Sequence, residues 1–300
     1  MLLKLIPHNV NLPFLKWRKF ALALSLILML ASAGLVVGKG LNLGIDFLGG
    51  SLIEVLAKPD TNIQDFRDRF SSLDLGEISL QTFGAENDIL IRLQRQTGDE
   101  TTQQQAIEIA QRAIDDLVIE YRRIEFVGPT IGSELRSAAI WATLSALAAI
   151  MIYVWFRFEW QFSVAAVATL FHDIILTIGL FALTGMEFNL AIVAALLTIA
   201  GYSINDTVVI FDRVRENLRK YRKMLLPDLL NKSVNQTLSR TIITSLTTEL
   251  ALLALVVFGG EVLRGFSIAL MFGVFVGTYS SYFISVPLLN ILEPDRSANE

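Results

Sequence analysis

Four ionisable side chains stand in stretches that are otherwise apolar, and they carry most of the chemistry this chain has. Asp206 lies in Gly201-Tyr202-Ser203-Ile204-Asn205-Asp206-Thr207, with Ser203 three residues ahead and Tyr202 four, so both flank its face of a helix. Arg240 lies in Thr237-Leu238-Ser239-Arg240-Thr241, and Thr244, Thr247 and Thr248 extend a polar stripe from it. Asp173 follows His172 and has Thr169 and Thr177 at i−4 and i+4. Glu249 sits half a helical turn away from the Arg240 stripe, with Ser245 one turn earlier as its expected partner. An ionisable group near a bilayer centre costs at least about 2.5–3.5 kcal/mol. A carboxylate, an arginine and hydroxyl stripes suit the passage of protons, and one charge crossing the membrane yields about 2.3 kcal/mol per 100 mV. Plainer readings stand beside this one. Asp206 can be a hydrated interfacial carboxylate and Arg240 a snorkelling cation. Whether Asp173 titrates with them as a third relay member or only hydrogen-bonds stays open.

Other chemistry is excluded by composition. The 300 residues include no cysteine and only two histidines, His8 and His172, far apart in sequence. Disulfides, cysteine nucleophiles and multi-histidine metal sites are therefore out of reach, and no metal or cofactor is expected. No Gly-x-x-x-x-Gly-Lys-Ser/Thr segment exists to hold a nucleotide phosphate. A net charge of −4 leaves no basic footprint for nucleic acid. An enzyme is the weakest reading.

The elements that position these residues are membrane helices. Hydrophobic residues make up 53% of the chain and charged ones 18%, against about 25% charged in a soluble domain. Six stretches approach the roughly 20 residues that span a bilayer: Phe20–Val37, Ala138–Phe156, Phe162–Thr184, Leu190–Phe211, Thr241–Phe258 and Gly265–Leu289. Ala31-Ser32-Ala33 resembles a cleavage site, but the run continues to Val37, which favours a retained anchor. Lysine and arginine crowd one side: Lys4, Lys16, Arg18 and Lys19, then Arg157, then the run from Arg213 to Arg240, then Arg296. The opposite short loops hold only Arg264, so both termini are expected in the cytoplasm. The expected plan is a cytoplasmic N-terminus at 1–19, a first helix at 20–38, an extracytoplasmic domain at 39–133, helices 2–6 at 134–289 and a cytoplasmic tail at 290–300. A basic cytoplasmic loop at 212–240 lies within it, either a topology signal alone or a helix on the membrane surface. Small residues at spacing four in the sixth helix, Gly273, Gly277, Ser281 and Ser285, mark close packing, as does Gly201 in the fourth.

The outer segment reads as β-α-β-β-α-β, the ferredoxin-like pattern. Strands are expected at Ser51–Ala57, Glu77–Phe83, Asp88–Gln94 and Arg122–Val127, with a turn at Asn87. Helices are expected at Thr61–Leu73, capped by Thr61, and at Asp99–Val118. Its carboxylates Asp65, Asp68, Asp115 and Asp116 fall on solvated helix faces, so a binding or moving part is expected there, not an active site.

Several motifs together resemble one family. Gly44-Ile45-Asp46-Phe47-Leu48-Gly49-Gly50 resembles the GIDFxGG signature of the SecD/SecF family, and Val127-Gly128-Pro129-Thr130-Ile131-Gly132 its VGPxxG. Phe156-Arg157-Phe158-Glu159, His172-Asp173, the run from Gly201 to Arg213, Ser239-Arg240-Thr241, Phe258-Gly259-Gly260 and Gly265-Phe266 continue the likeness in order. Glu249 departs from the pattern, where that position is usually uncharged. The short outer segment fits the branch of the family whose first outer region is the smaller. The resemblance implies a membrane all-α six-helix bundle of the resistance-nodulation-division type, with the α+β ferredoxin-like domain inserted between helices 1 and 2. It implies a SecD-like partner, association with the SecYEG channel and YajC, and proton-driven export of a preprotein across the bacterial cytoplasmic membrane. Asp206 and Arg240 would then be relay residues, completed by an aspartate of the SecD chain. Half of a proton-driven small-molecule or lipid exporter, or a structural membrane subunit, are the rival readings.

Overall fold

The computed structural model describes residues 11–73, 75–76, 78–83, 85–96 and 100–294. Lys4, His8 and Arg296, and the expected starts of a strand at Glu77 and a helix at Asp99, lie outside them. The chain divides into a helical unit (1–42, 143–186 and 191–300) and a sheet unit (43–142 and 187–190).

In the sheet unit, the one-turn helix α2 (Ile45–Leu48) leads into β1 (Gly50–Ala57). Then follow α3 (Ile63–Ser71), β2 (Ile78–Phe83), β3 (Ala85–Leu93), α4 (Glu100–Ile114) and β4 (Val118–Val127). The sheet is antiparallel with order β2-β3-β1-β4, and Ile53 is paired with Ile91 and with Ile124. Period-two alternation sends Ile53, Val55, Ala57, Ile89, Ile91 and Leu93 to one face. There Phe66 and Phe70 of α3 and Ala106, Ala110 and Ile114 of α4 bury them. On the other face Ile45 of α2 covers Leu52 and Leu90. Gly50 has φ +110°, and a Cβ there would stand 2.5 Å from the Leu93 carbonyl oxygen, so the second glycine of the pair cannot be replaced without strain.

Three local expectations are corrected. Asn62, not Thr61, caps α3: its Oδ1 accepts from the Gln64 and Asp65 amides at 2.8 and 3.2 Å, and Asp65 returns the bond to the Asn62 amide. Asn87 lies inside β3, not in a turn. The second long helix ends at Ile114, and Val118 already belongs to β4, because the β-branched Val118 pairs with Ala57 of β1 once the Asp115-Asp116 turn breaks the helix.

The helical unit holds α1 (Arg18–Gly38), preceded by a 3-10 turn, and most of α5 (Pro129–Arg157). It continues with α6 (Trp160–Thr184), α7 (Leu190–Lys220), α8 (Leu226–Phe258), α9 (Gly260–Ser280), a π-helical turn (Ser281–Ser285) and α10 (Val286–Leu292). Among the described residues six helical segments are long and apolar enough to cross a membrane. Gly179 of α6 lies against buried Ser32 of α1, the middle residue of Ala31-Ser32-Ala33, which lets the two helices approach closely.

The basic stretch is neither a loop nor a separate surface helix. It is the extended ends of α7 and α8 around a turn at 221–225. Val214 and Leu218 pack with Leu229, Leu230, Val234 and Leu238 in one core, which makes the extension a helical hairpin under its charges. Asn217 straps it, donating to Ser233 Oγ and Gln236 Oε1, both at 2.8 Å.

Candidate functional site: a buried carboxylate cluster between helices

Asp173 is fully buried in α6. Its Oδ2 accepts hydrogen bonds from Ser203 of α7 at 2.5 Å and Ser280 of α9 at 2.9 Å. Its Oδ1 faces His172 Nδ1 at 2.9 Å. One carboxylate thus ties three helices. The close approach has a steric cause: Gly273 and Gly277 of α9 face Ile199 and Ser203 of α7, and a Cβ on Gly273 would overlap the Ile199 side chain. Ser281 is buried and pairs with Thr207 at 2.9 Å, one turn further along. Gly201 behaves differently: it is exposed, and among the described residues nothing lies within 4 Å of a Cβ built on it.

Asp206 follows Ser203 by one turn of α7 and is buried. Its Oδ2 has no hydrogen-bond partner, and the Tyr282 hydroxyl, which lies by Thr237 and Thr241, has the Asp206 charge in its environment. Arg240 of α8 acts on Asp206 electrostatically, yet no ion pair within 4.0 Å joins them and Arg240 is exposed. The threonine stripe beyond it bonds its own helix: Thr244 to Thr241 O, Thr247 to Ile243 O and Thr248 to Thr244 O, at 2.9–3.0 Å. Glu249 is half-buried, with one carboxylate oxygen lacking a partner. Its expected partner Ser245 pairs instead with Thr278 of α9 at 2.7 Å.

Three partners have little mark in the sequence. Ser280 looks like one more small residue beside Ser281. Asp46, inside the Gly44–Gly50 motif, accepts from the Leu190 amide at 2.9 Å and so caps the first turn of α7. Glu187 pairs with Arg92 at 3.2 Å beside it. Burial pushes the Glu187 carboxyl above its ordinary value, more than Arg92 pulls it down.

With this geometry established, known proteins supply the context. A family model described as "Protein export membrane protein SecD/SecF, C-terminal" matches residues 106–295, and the "SecD/SecF GG Motif" matches residues 34–61. The chain belongs to the SecD/SecF family. Curated SecD/SecF relatives named "Protein translocase subunit SecF" are 44% identical in Rickettsia bellii, over 96% of both chains, and 42% identical in Rickettsia prowazekii, over 96% of this chain and 93% of that one. The crystal structure of SecDF, a translocon-associated membrane protein from Thermus thermophilus, superposes with a TM-score of 0.87 at 37% identity. That match covers 96% of this chain, which spans 39% of the SecDF chain. A SecDF structure in the super-membrane-facing form matches with a TM-score of 0.70. As a SecD/SecF family member of the SecF type, the chain is a translocase subunit.

Proposed function

We propose that this chain works with a SecD-like partner to convert the proton-motive force into export of preproteins that have entered the SecYEG channel, in a complex that includes YajC. It resides in the bacterial inner membrane with both termini cytoplasmic, the basic α7–α8 hairpin inside the cell and the sheet unit outside as a ferredoxin-like domain inserted between the first two membrane helices. In this account 1–19 and 290–300 are cytoplasmic, 20–38 is the first crossing, 39–133 lies outside and 134–289 holds the remaining crossings.

The observation that carries this reading is the unfinished charge site on α7 and α8. Asp206 has a buried oxygen without a partner, and Arg240, which its charge reaches, is exposed and unpaired. A buried polar group left unpaired costs about 1–3 kcal/mol. A facing helix with an acidic side chain, and water between, would satisfy both groups and provide a path for the proton. Asp206 and Arg240 are the relay in this account, and Asp173 holds the turn of α7 directly ahead of Asp206 through Ser203.

The test is Asp206→Asn. Asparagine keeps the size, breaks no hydrogen bond at Oδ2 and cannot change charge. The variant should remain in the membrane at normal levels, assemble with its partner and lose proton-gradient-dependent completion of export in spheroplasts or inverted vesicles. Full activity at normal membrane levels would refute the relay and restore the structural-subunit reading.

A further inference from the structure

The geometry points to a binding site for the phosphate of an anionic phospholipid in a cleft at the basic end of α7. The cleft has a volume of about 570 Å³ and is lined by Arg157, Asp212, Arg215, Glu216, Arg219 and Lys220. Four cations there face two acids, and both acids are engaged. Asp212 binds Arg157 at 2.8 Å, and Glu216 binds Arg213, outside the lining, at 2.7 Å. Two of the cations are held in place. The Arg157 and Arg215 guanidinium groups lie 4.9 and 5.5 Å from the centroid of the Phe158 ring, and Arg215 donates to the Arg157 carbonyl at 3.4 Å. Arg215 Nε is buried and has no acceptor. The floor is thus a fixed guanidinium surface with a surplus of positive charge, a match for phosphate oxygens.

Depth selects the source of that phosphate. Arg157 ends α5, and the same turn presents Trp155, Phe156 and Trp160, which are 71%, 90% and 57% exposed. Exposed tryptophan at a helix end marks the membrane–water interface. The cleft therefore lies in the headgroup layer, and exposed Ile152 one turn back on α5 gives acyl chains an apolar surface. Basic pockets between membrane helices on the cytoplasmic side suit such headgroups, and the net charge of +2 favours a lipid with two phosphates. The site depends on the helices crossing a membrane and is independent of the proton reading.

The probes are cardiolipin, phosphatidylglycerol, phosphatidylcholine and inorganic phosphate, titrated against the purified full chain in an uncharged detergent with bound ligand read by native mass spectrometry. Arg219→Gln/Lys220→Gln removes two exposed cations of the cleft. Arg222→Gln/Lys223→Gln removes the same charge on the exposed turn just beyond it. At about 1 kcal/mol per basic residue, the first pair should weaken cardiolipin binding about thirtyfold, and the second less than threefold. Lys220→Glu alone tests the same site with one exposed position changed. Anionic lipids should outbind phosphatidylcholine. Equal losses in the two double variants would overturn the site in favour of diffuse basic charge. Phosphatidylcholine binding as well as cardiolipin would overturn it too. Displacement of the lipid by millimolar inorganic phosphate would overturn the headgroup assignment and leave a free-phosphate site.

Discussion

Replacing Asp173 with alanine should loosen the bundle far more than removing the charge of Asp206. The Asp173 carboxylate accepts from Ser203 at 2.5 Å and Ser280 at 2.9 Å and faces His172 at 2.9 Å, and all four residues are buried. Alanine strips three polar groups of one partner. Each orphaned group costs about 1–3 kcal/mol. Ser280 has a fallback, since it also donates to the Gly277 carbonyl at 3.1 Å, and Ser203 can turn to its own helix. The net loss should be about 3–5 kcal/mol, as when one member of a buried pair is removed. Asp206→Asn breaks no hydrogen bond at Oδ2 and should cost under about 1 kcal/mol. The assay is thermal unfolding in mild detergent followed by tryptophan fluorescence. Asp173→Ala should melt about 6–20 °C below the parent, and Asp206→Asn within about 3 °C. Asp173→Asn should fall between, because one oxygen can still accept. Equal melting of the two would mean that the three-helix clamp does not hold the bundle.

Two further outcomes follow from the packing and from the capped end of α7. Gly273→Ala should destabilise by about 1–3 kcal/mol, since a β-branched Ile199 cannot move aside, and Ile199→Ala in the same chain should recover part of that loss. Additive losses in the double variant would refute the contact. Glu187 is raised above its ordinary value by burial, so its contribution to stability is present at low pH and declines as pH rises through the raised value. Melting temperature should fall over that window in the parent, and Glu187→Gln should flatten the slope; an unchanged slope would place the titration elsewhere.

The six membrane segments were legible because an apolar run of about twenty residues, in a chain with this little charge, has nowhere to be buried except a bilayer. The strands of the sheet unit are legible from alternation, but element ends are not: Asn62 takes the cap from Thr61 because Asp65 completes the reciprocal bond. Val118 joins a strand because β1 is there to receive it. Asp173 and Asp206 were both visible as charges among apolar neighbours. What separates them is which helix supplies Ser280, a tertiary fact that spacing cannot carry. The basic run from Arg213 to Arg240 hid its structure for a related reason. Its charges dominate the composition, while Val214 and Leu218 on one arm and Leu229, Leu230, Val234 and Leu238 on the other build a hairpin core.

The length of α7 gives that hairpin a mechanical meaning. Its 31 residues extend about 46 Å, roughly 16 Å more than a bilayer core. Asp206 to Lys220 is about 21 Å of rigid rod. A 10° tilt pivoting at Asp206 would therefore swing the tip by about 4 Å, a stroke approaching one helical pitch of about 5.4 Å. The Asn217 strap to Ser233 and Gln236 yokes α8 to the same arm, so the pair would travel as one lever.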